Sequence, residues 1–352
     1  MTASPTEPVS GATRKRSSVK WSAFLLVLIA FLTWRVTQDL TFWQEVTRQG
    51  TLSPSPSANG LLAADGPPRF DLKKLTVPQK EIRRGGPPKD GIPALTQPKF
   101  VAAAEASFLK GTDRVGGVSI DDDARAYPLA ILNYHEIVND VVAKTPVAVT
   151  YCPLCDSVAL FDRRTPLGER EFGVSGLLYN SNVLMYDRKG KPESLWSQLR
   201  TRGVSGPAAD QALKVLPVEL TTWDDWRSRH PTTRVLSTAT GHNRDYTRDP
   251  YAGYFDSPQL MFPAQPSSDR LPLKARVLGV WTDKVARAYP LSAFSRERTT
   301  LKDNLDGKQI TLAFNADAQS LRVSQADDGV NWVYSLWFAW YAFRPETEVI
   351  AR

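Results

Sequence analysis

Sulfur and imidazole are scarce in this chain, with two cysteines, three methionines and three histidines among 352 residues. Two cysteines exclude a disulfide framework. The pair, in Tyr151-Cys152-Pro153-Leu154-Cys155-Asp156, has four possible fates: an internal bridge, a metal, free thiols, or a bridge between chains. There is no second Cys-x-x-Cys, so a closed zinc site would need histidine or carboxylate to complete it. A dense Lys/Arg helix with interleaved aromatics is also missing. Much of the formal charge of +7 lies in Arg14, Lys15, Arg16 and Lys20 and in a basic cluster from Lys80 to Lys89 within a Pro/Gly-rich stretch. Nucleic acid is therefore not an expected partner.

Charge is absent from Trp21 to Trp34, WSAFLLVLIAFLTW. Fourteen residues at about 1.5 Å each reach only roughly 21 Å, against a hydrocarbon core of about 30 Å. Val36 to Leu40 can extend the helix, Lys20 and Arg35 can snorkel, and Trp21 and Trp34 suit the interface. A cleaved signal peptide is the alternative, but no small-x-small cleavage site follows the run. The expected organisation is a cytoplasmic tail at 1–18, one transmembrane helix at 19–40 and a Pro/Gly-rich linker at 41–98. An extracytoplasmic domain at 99–352 follows. The basic flank keeps the N-terminus inside and puts the cysteines in an oxidising compartment.

An internal repeat organises the domain. Val115 to Leu129 aligns without gaps onto Val277 to Leu291 with ten of fifteen positions identical, including Ala-Arg-Ala-Tyr-Pro-Leu. One residue further shifted, Val147 to Tyr151 falls against Ile310 to Phe314, and both are strand-forming runs. The two modules, 115–151 and 277–314, read as strand, acidic turn, strand, short helix, strand. On this register Cys152 and Cys155 correspond to Asn315 and Ala318, and His135 to Glu297. Ser194 to Leu199 and Thr222 to Arg229 read as short helices, the second with Thr222 as N-cap. Strands outnumber helices, and the expected class is a β-rich α+β domain.

Strand-forming residues flank the cysteines on both sides, so the pattern is strand, CPLCD, strand. That is the shape of a metal knuckle, whose turn amides point at two thiolates. His135, just before the strand that delivers the cysteines, is the best candidate third ligand or base. His242 is a weaker candidate in a turn, and His230, before Pro231, reads as structural. Glu136, Asn139, Asp140 and Asp156 read first as caps and turn formers. Asn180-Ser181-Asn182 reads either as a turn or as a pocket lining.

These motifs together (HEIVND, VTYCPLCDS, FGVSGLLYNSNVLMYDR, ESLWSQL, RDYTRDPYAGY and WFAWYAFRPETEV) resemble the family catalogued as domain of unknown function 3179, from about Ile92 onward. The family's CPLC pair matches Cys152 and Cys155, and its HEIVND matches His135 to Asp140. Asp156 departs from the pattern, standing where many relatives place glycine or asparagine. The resemblance names relatives and supplies no mechanism. The residues themselves leave three readings. The first is a metal site of Cys152, Cys155 and His135 holding copper, zinc or iron, since soft thiolates with imidazole select such ions. The second is a thiol–disulfide oxidoreductase with Cys152 attacking, Cys155 resolving and His135 lowering the thiol pKa. The third is a non-catalytic binding or assembly module stapled by the pair.

Overall fold

A computed structural model describes residues 70, 72 and 74–350. The expected tail at 1–18 and anchor at 19–40 lie outside the described residues. Among the described residues no helix is long and apolar enough to cross a membrane. The fold is β-rich and 15% helical, with five sheets of three to five strands in a propeller-like arrangement.

The duplicated sequence builds duplicated hairpins with one register. Arg114–Ile120 pairs with Asp123–Pro128 so that Val115 faces Pro128 and Gly117 faces Ala126. Arg276–Trp281 pairs with Ala286–Pro290 so that Val277 faces Pro290 and Gly279 faces Ala288. The acidic turn of the first copy, Asp121-Asp122, is left-handed at both residues, as a two-residue hairpin loop requires. A helix follows the first hairpin, α1 (Leu129–His135), whereas the second copy keeps only a single 3-10 turn, Leu291–Ala293.

The correspondence continues through three-stranded meanders. Ile137–Val142, Thr145–Cys152 and Ser157–Asp162 match Thr300–Leu305, Lys308–Asn315 and Ser320–Ala326. Cys152 faces Ser157 in one copy, and Asn315 faces Ser320 in the other. In each copy a carboxylate ties hairpin to meander. Tyr127 Oη donates to Asp140 at 2.6 Å and Tyr289 Oη to Asp303 at 2.6 Å, with Arg125 and Arg287 on the same two acids.

Each hairpin also receives a strand and a helix from further along the chain. Glu219–Thr222 runs antiparallel to the first hairpin and leads into α2 (Trp223–Arg229). Asn331–Leu336 does the same for the second and leads into α4 (Trp337–Phe343). Thr222 caps α2, its side chain accepting from Asp225 N at 3.4 Å. Trp226 and Trp340 press on the hairpins at Gly117 and Gly279, and each indole N–H donates to a threonine seven residues on, Thr233 or Thr347, at 3.0 Å. One apolar cluster draws on both copies, among them Tyr127, Val149, Leu160, Tyr289, Leu312 and Tyr334.

Two local expectations change. Ser194 to Leu199 is not a helix: Leu195–Ser197 is a strand pairing with Asn182–Arg188, and every residue from 194 to 199 is buried. A segment with no solvent face takes its conformation from its neighbours, and the sheet overrides local propensity. Part of the Pro/Gly-rich stretch assigned to the linker joins the domain. Ile82–Arg84 pairs with Leu177 to Tyr179, and Leu95–Thr96 pairs with Val138 and Asn139, short edge strands of the kind proline tolerates.

Candidate functional site

The strand Thr145–Cys152 delivers the first cysteine, Pro153–Cys155 forms one 3-10 turn, and Asp156 returns the chain into Ser157–Asp162. Asp156 has φ 44° and ψ 39°, the left-handed region that glycine and asparagine enter most easily. Aspartate tolerates the conformation and adds a charge. Its carboxylate, 1% exposed, accepts both Nη of Arg114 at 2.9 Å, Arg276 Nε at 3.0 Å and Tyr151 Oη at 3.0 Å. Arg114 and Arg276 open the equivalent strands of the two repeats, so the modules meet on this one side chain. Burial opposes its ionisation, but the charges of Arg114 and Arg276 outweigh that and hold it below the usual carboxylate range.

Both thiols are buried. Burial pushes the Cys152 thiol up. Hydrogen bonds from the Cys155 thiol and from the backbone N–H groups of Val183, Cys155 and Leu154 outweigh that and bring it below its ordinary value. Cys155 is pushed well above, by burial and then by Cys152 beside it, although the Asn182 side chain donates to it. The pair is thus asymmetric, with the Cys152 thiol below its ordinary value and the Cys155 thiol well above it.

The roof over the sulfurs comes from elsewhere in the chain. Glu171–Tyr179 and Asn182–Arg188 form a hairpin whose two-residue tip, Asn180-Ser181, is left-handed at both positions. The tip places Ser181 O at 3.3 Å from Cys155 Sγ and 3.8 Å from Cys152 Sγ. The cluster Asn180-Ser181-Asn182 is therefore a turn and a site lining at once. Asn182 is fixed by Gln198 Oε1 at 2.8 Å and by Leu199 N at 3.1 Å, and Gln198 is held in turn by Thr150 Oγ1 at 2.9 Å. Ser181 Oγ is buried without a hydrogen-bond partner among the described residues. Residues 237–275, with α3 (Ala252–Asp256) as their one helix, close the remaining side. Tyr254 Oη donates to Leu154 O at 2.9 Å, and Asn180 and Gln265 exchange two hydrogen bonds of 2.9 and 3.1 Å.

His135 is fully buried but committed elsewhere. Its Nδ1 lies 2.8 Å from Pro93 O and its Nε2 2.7 Å from Tyr246 Oη, which is 2.6 Å from Thr240 Oγ1. Burial lowers its pKa to about 4, with Pro93 opposing and His242 and Arg244 assisting. The ring is neutral at pH 7, and its hydrogen bonds fit Nδ1–H donating to Pro93 with Nε2 accepting from Tyr246. The structure thus brings Cys152 and Cys155 together and gives both nitrogens of His135 other partners. His242 packs 5.2 Å from the His135 ring, and His230 stacks on Trp226 at 4.0 Å at the end of α2. Among the described residues no three or more His, Cys, Asp and Glu side chains are grouped to hold a metal ion.

Glu136, whose role read first as capping, does end α1, with φ 55°. Its carbonyl accepts Tyr151 N at 2.7 Å, which lays it alongside the strand end that carries Cys152. Its carboxyl is buried, and burial first, then Cys152, raise its pKa well above the ordinary value. Only its place one residue from His135 in the sequence could have pointed to it.

Neither curated proteins nor solved structures give a match to this chain. The family described as Protein of unknown function (DUF3179) matches residues 89–332, a span that holds the thiol pair, its roof and both hairpins. The chain belongs to that family.

Proposed function

We propose that the protein is a membrane-anchored, extracytoplasmic thiol–disulfide oxidoreductase whose redox pair is Cys152 and Cys155. The asymmetry of the pair carries the reading: hydrogen bonds bring the Cys152 thiol below its ordinary value, while burial and the neighbouring Cys152 push Cys155 well above. A nucleophilic thiol and a resolving thiol differ in this sense. The Cys152 thiolate attacks one sulfur of a substrate disulfide. That S–S bond breaks, and the departing thiolate takes a proton from solvent. Cys155 then loses its proton and attacks Cys152 Sγ, forming the internal disulfide and releasing the second substrate thiol. The substrate gains two electrons and two protons, and the pair is oxidised. Both sulfurs are buried, so a substrate reaches them only when part of their cover, the Asn180-Ser181 tip or the segment 237–275, moves aside.

The test is alkylation of the reduced full-length chain in detergent as a function of pH. Cys152 should titrate with a midpoint below the free-thiol value of about 8.5, and Cys155 should react only well above it. Tyr254→Phe removes the tether to Leu154. A hydrogen bond of about 1 kcal/mol corresponds to a rise of roughly fivefold in the alkylation rate. A Cys152 midpoint at or above about 8.5 would sink the redox reading.

The amide cradle also favours a second reading, since N–H groups aimed at sulfur stabilise metal thiolates as well. Cys152 and Cys155 suit copper, zinc or iron. His135 would have to leave Pro93 or Tyr246 to complete the set. Metal analysis separates the two readings: a stoichiometric ion that is lost in Cys152→Ser favours the metal.

Anchoring rests on the uncharged run within residues 19–40 and its basic flank. An alkaline phosphatase reporter fused after Arg352 should be active, which requires that end to lie outside the cytoplasm. A mature N-terminus beyond Trp34 would remove the anchor and leave a secreted protein.

A further inference from the structure

The redox scheme leaves one buried acid beside the thiol pair unused. Glu136 is 8% exposed and ends α1 against the strand that delivers Cys152. Its carbonyl accepts Tyr151 N at 2.7 Å, and the ladder continues with Ile137 opposite Thr150. Among the described residues no hydrogen-bond donor and no cation serves its carboxyl. His135, its neighbour, spends both ring nitrogens on Pro93 and Tyr246. From the strand the group that acts on Glu136 is Cys152, and from segment 237–275 it is Tyr251, itself 7% exposed. Burial first, then Glu136 and Cys152, push the Tyr251 phenol well above its ordinary value, so three buried groups share one corner. Asp249 ties that corner to α1: its Oδ1 accepts Asn133 Nδ2 at 3.2 Å and Tyr251 N at 2.8 Å. An ionised carboxyl with neither donor nor cation is expensive to bury, whereas the protonated acid costs far less.

We infer that Glu136 carries a proton in the reduced protein and gives it to the first thiolate that Cys152 displaces from a substrate disulfide. Resting on the redox reading, this proton transfer takes the place of solvent in its first step. Cys152 Sγ attacks, the substrate S–S bond breaks, and the departing thiolate takes the Glu136 proton. The carboxylate left behind takes the proton that Cys155 releases as it attacks Cys152 Sγ. The second substrate thiolate is protonated by solvent. Two electrons and two protons reach the substrate, and Glu136 ends the cycle as the acid again. A thiolate leaving into a site shielded from water is costly, so a proton donor at hand matters most when the leaving thiol is basic.

Two disulfides, each mixed with the reduced full-length chain in detergent at pH 7, provide the test. Bis(hydroxyethyl) disulfide releases a basic alkanethiolate, whereas dithiobis(nitrobenzoate) releases an aromatic thiolate that stays ionised. Glu136→Gln keeps the shape of the side chain and removes its transferable proton. It should slow reduction of the alkyl disulfide about a hundredfold, the low end for a general acid, and leave the aromatic rate nearly unchanged. Infrared difference spectra, wild type minus Glu136→Gln, should show the carbonyl band of a protonated carboxyl at pH 7. Equal slowing of both disulfides would reduce Glu136 to a packing role and overturn the inference. An unchanged alkyl rate, or the lack of a carboxyl band, overturns it as well. A wild type that reduces neither disulfide sinks the redox reading itself, and the proton transfer with it.

Discussion

Replacing Asp156 with alanine is expected to cost about 3 kcal/mol, the lower end of the range for breaking a buried ion pair by removing one partner. The carboxylate is 1% exposed and holds Arg114, Arg276 and Tyr151, so its loss strands the two arginines that open the repeats. Arg276 is 46% exposed and water re-solvates it, which keeps the cost from the upper end of the range. The pH dependence follows from the direction of the shift. The folded-state pKa lies below the unfolded value of about 3.9, so the stabilisation is complete above pH 4 to 5. It fades as pH falls through the folded value. Urea unfolding at pH 7 should therefore show the full gap between wild type and Asp156→Ala, and the gap should narrow in acid. A loss under about 1 kcal/mol at pH 7 would mean that the carboxylate does not hold the modules together.

Adding one methyl group at Gly117 or Gly279 is expected to cost about 3 kcal/mol, the upper end of the usual range for overpacking. A Cβ at Gly117 would lie 2.3 Å from the Trp226 ring, and one at Gly279 would lie 2.3 Å from the Trp340 ring. Neither indole can swing away. Both are buried, and their N–H groups are tied to Thr233 and Thr347. The two costs should agree within about 1 kcal/mol, because the contact geometry repeats. Trp226→Phe should soften the Gly117→Ala penalty, since the smaller ring vacates the position of the clash. A double-mutant cycle with a coupling of about 1 kcal/mol or more would register this. Urea midpoints unchanged by either glycine substitution would refute the shared packing.

Most of the thiol site was legible only as a pair of neighbours. Two cysteines three apart on a turn between strands must lie close, so their proximity followed from spacing alone. Their asymmetry followed only in part: the Cys155 thiol and the N–H groups of Cys155 and Leu154 belong to the turn itself, whereas the N–H of Val183 and the Asn182 side chain come from a hairpin that follows the pair in the chain. His135 shows the same limit. Its rank as a candidate came from its place before the strand, while its partners, Pro93 and Tyr246, lie 42 and 111 residues away. The matching of α2 and α4 went unread because only Trp223, Trp226, Pro231, Thr233 and Val235 recur, as Trp337, Trp340, Pro345, Thr347 and Val349, after an insertion of different length.

The sequence by itself determined the β-rich class, the repeated hairpins with their common register, the cap at Thr222 and the strand–turn–strand that presents the cysteines. Each of these is local, set by alternation, turn residues and identity between copies. Tertiary structure alone decided that Ser194 to Leu199 joins a sheet, that both repeats close on Asp156, and that the sulfurs are roofed by Ser181 and Tyr254. Those outcomes depend on which faces meet across tens to hundreds of residues. Side-chain pattern along the chain records which way a residue points and not what it will meet there.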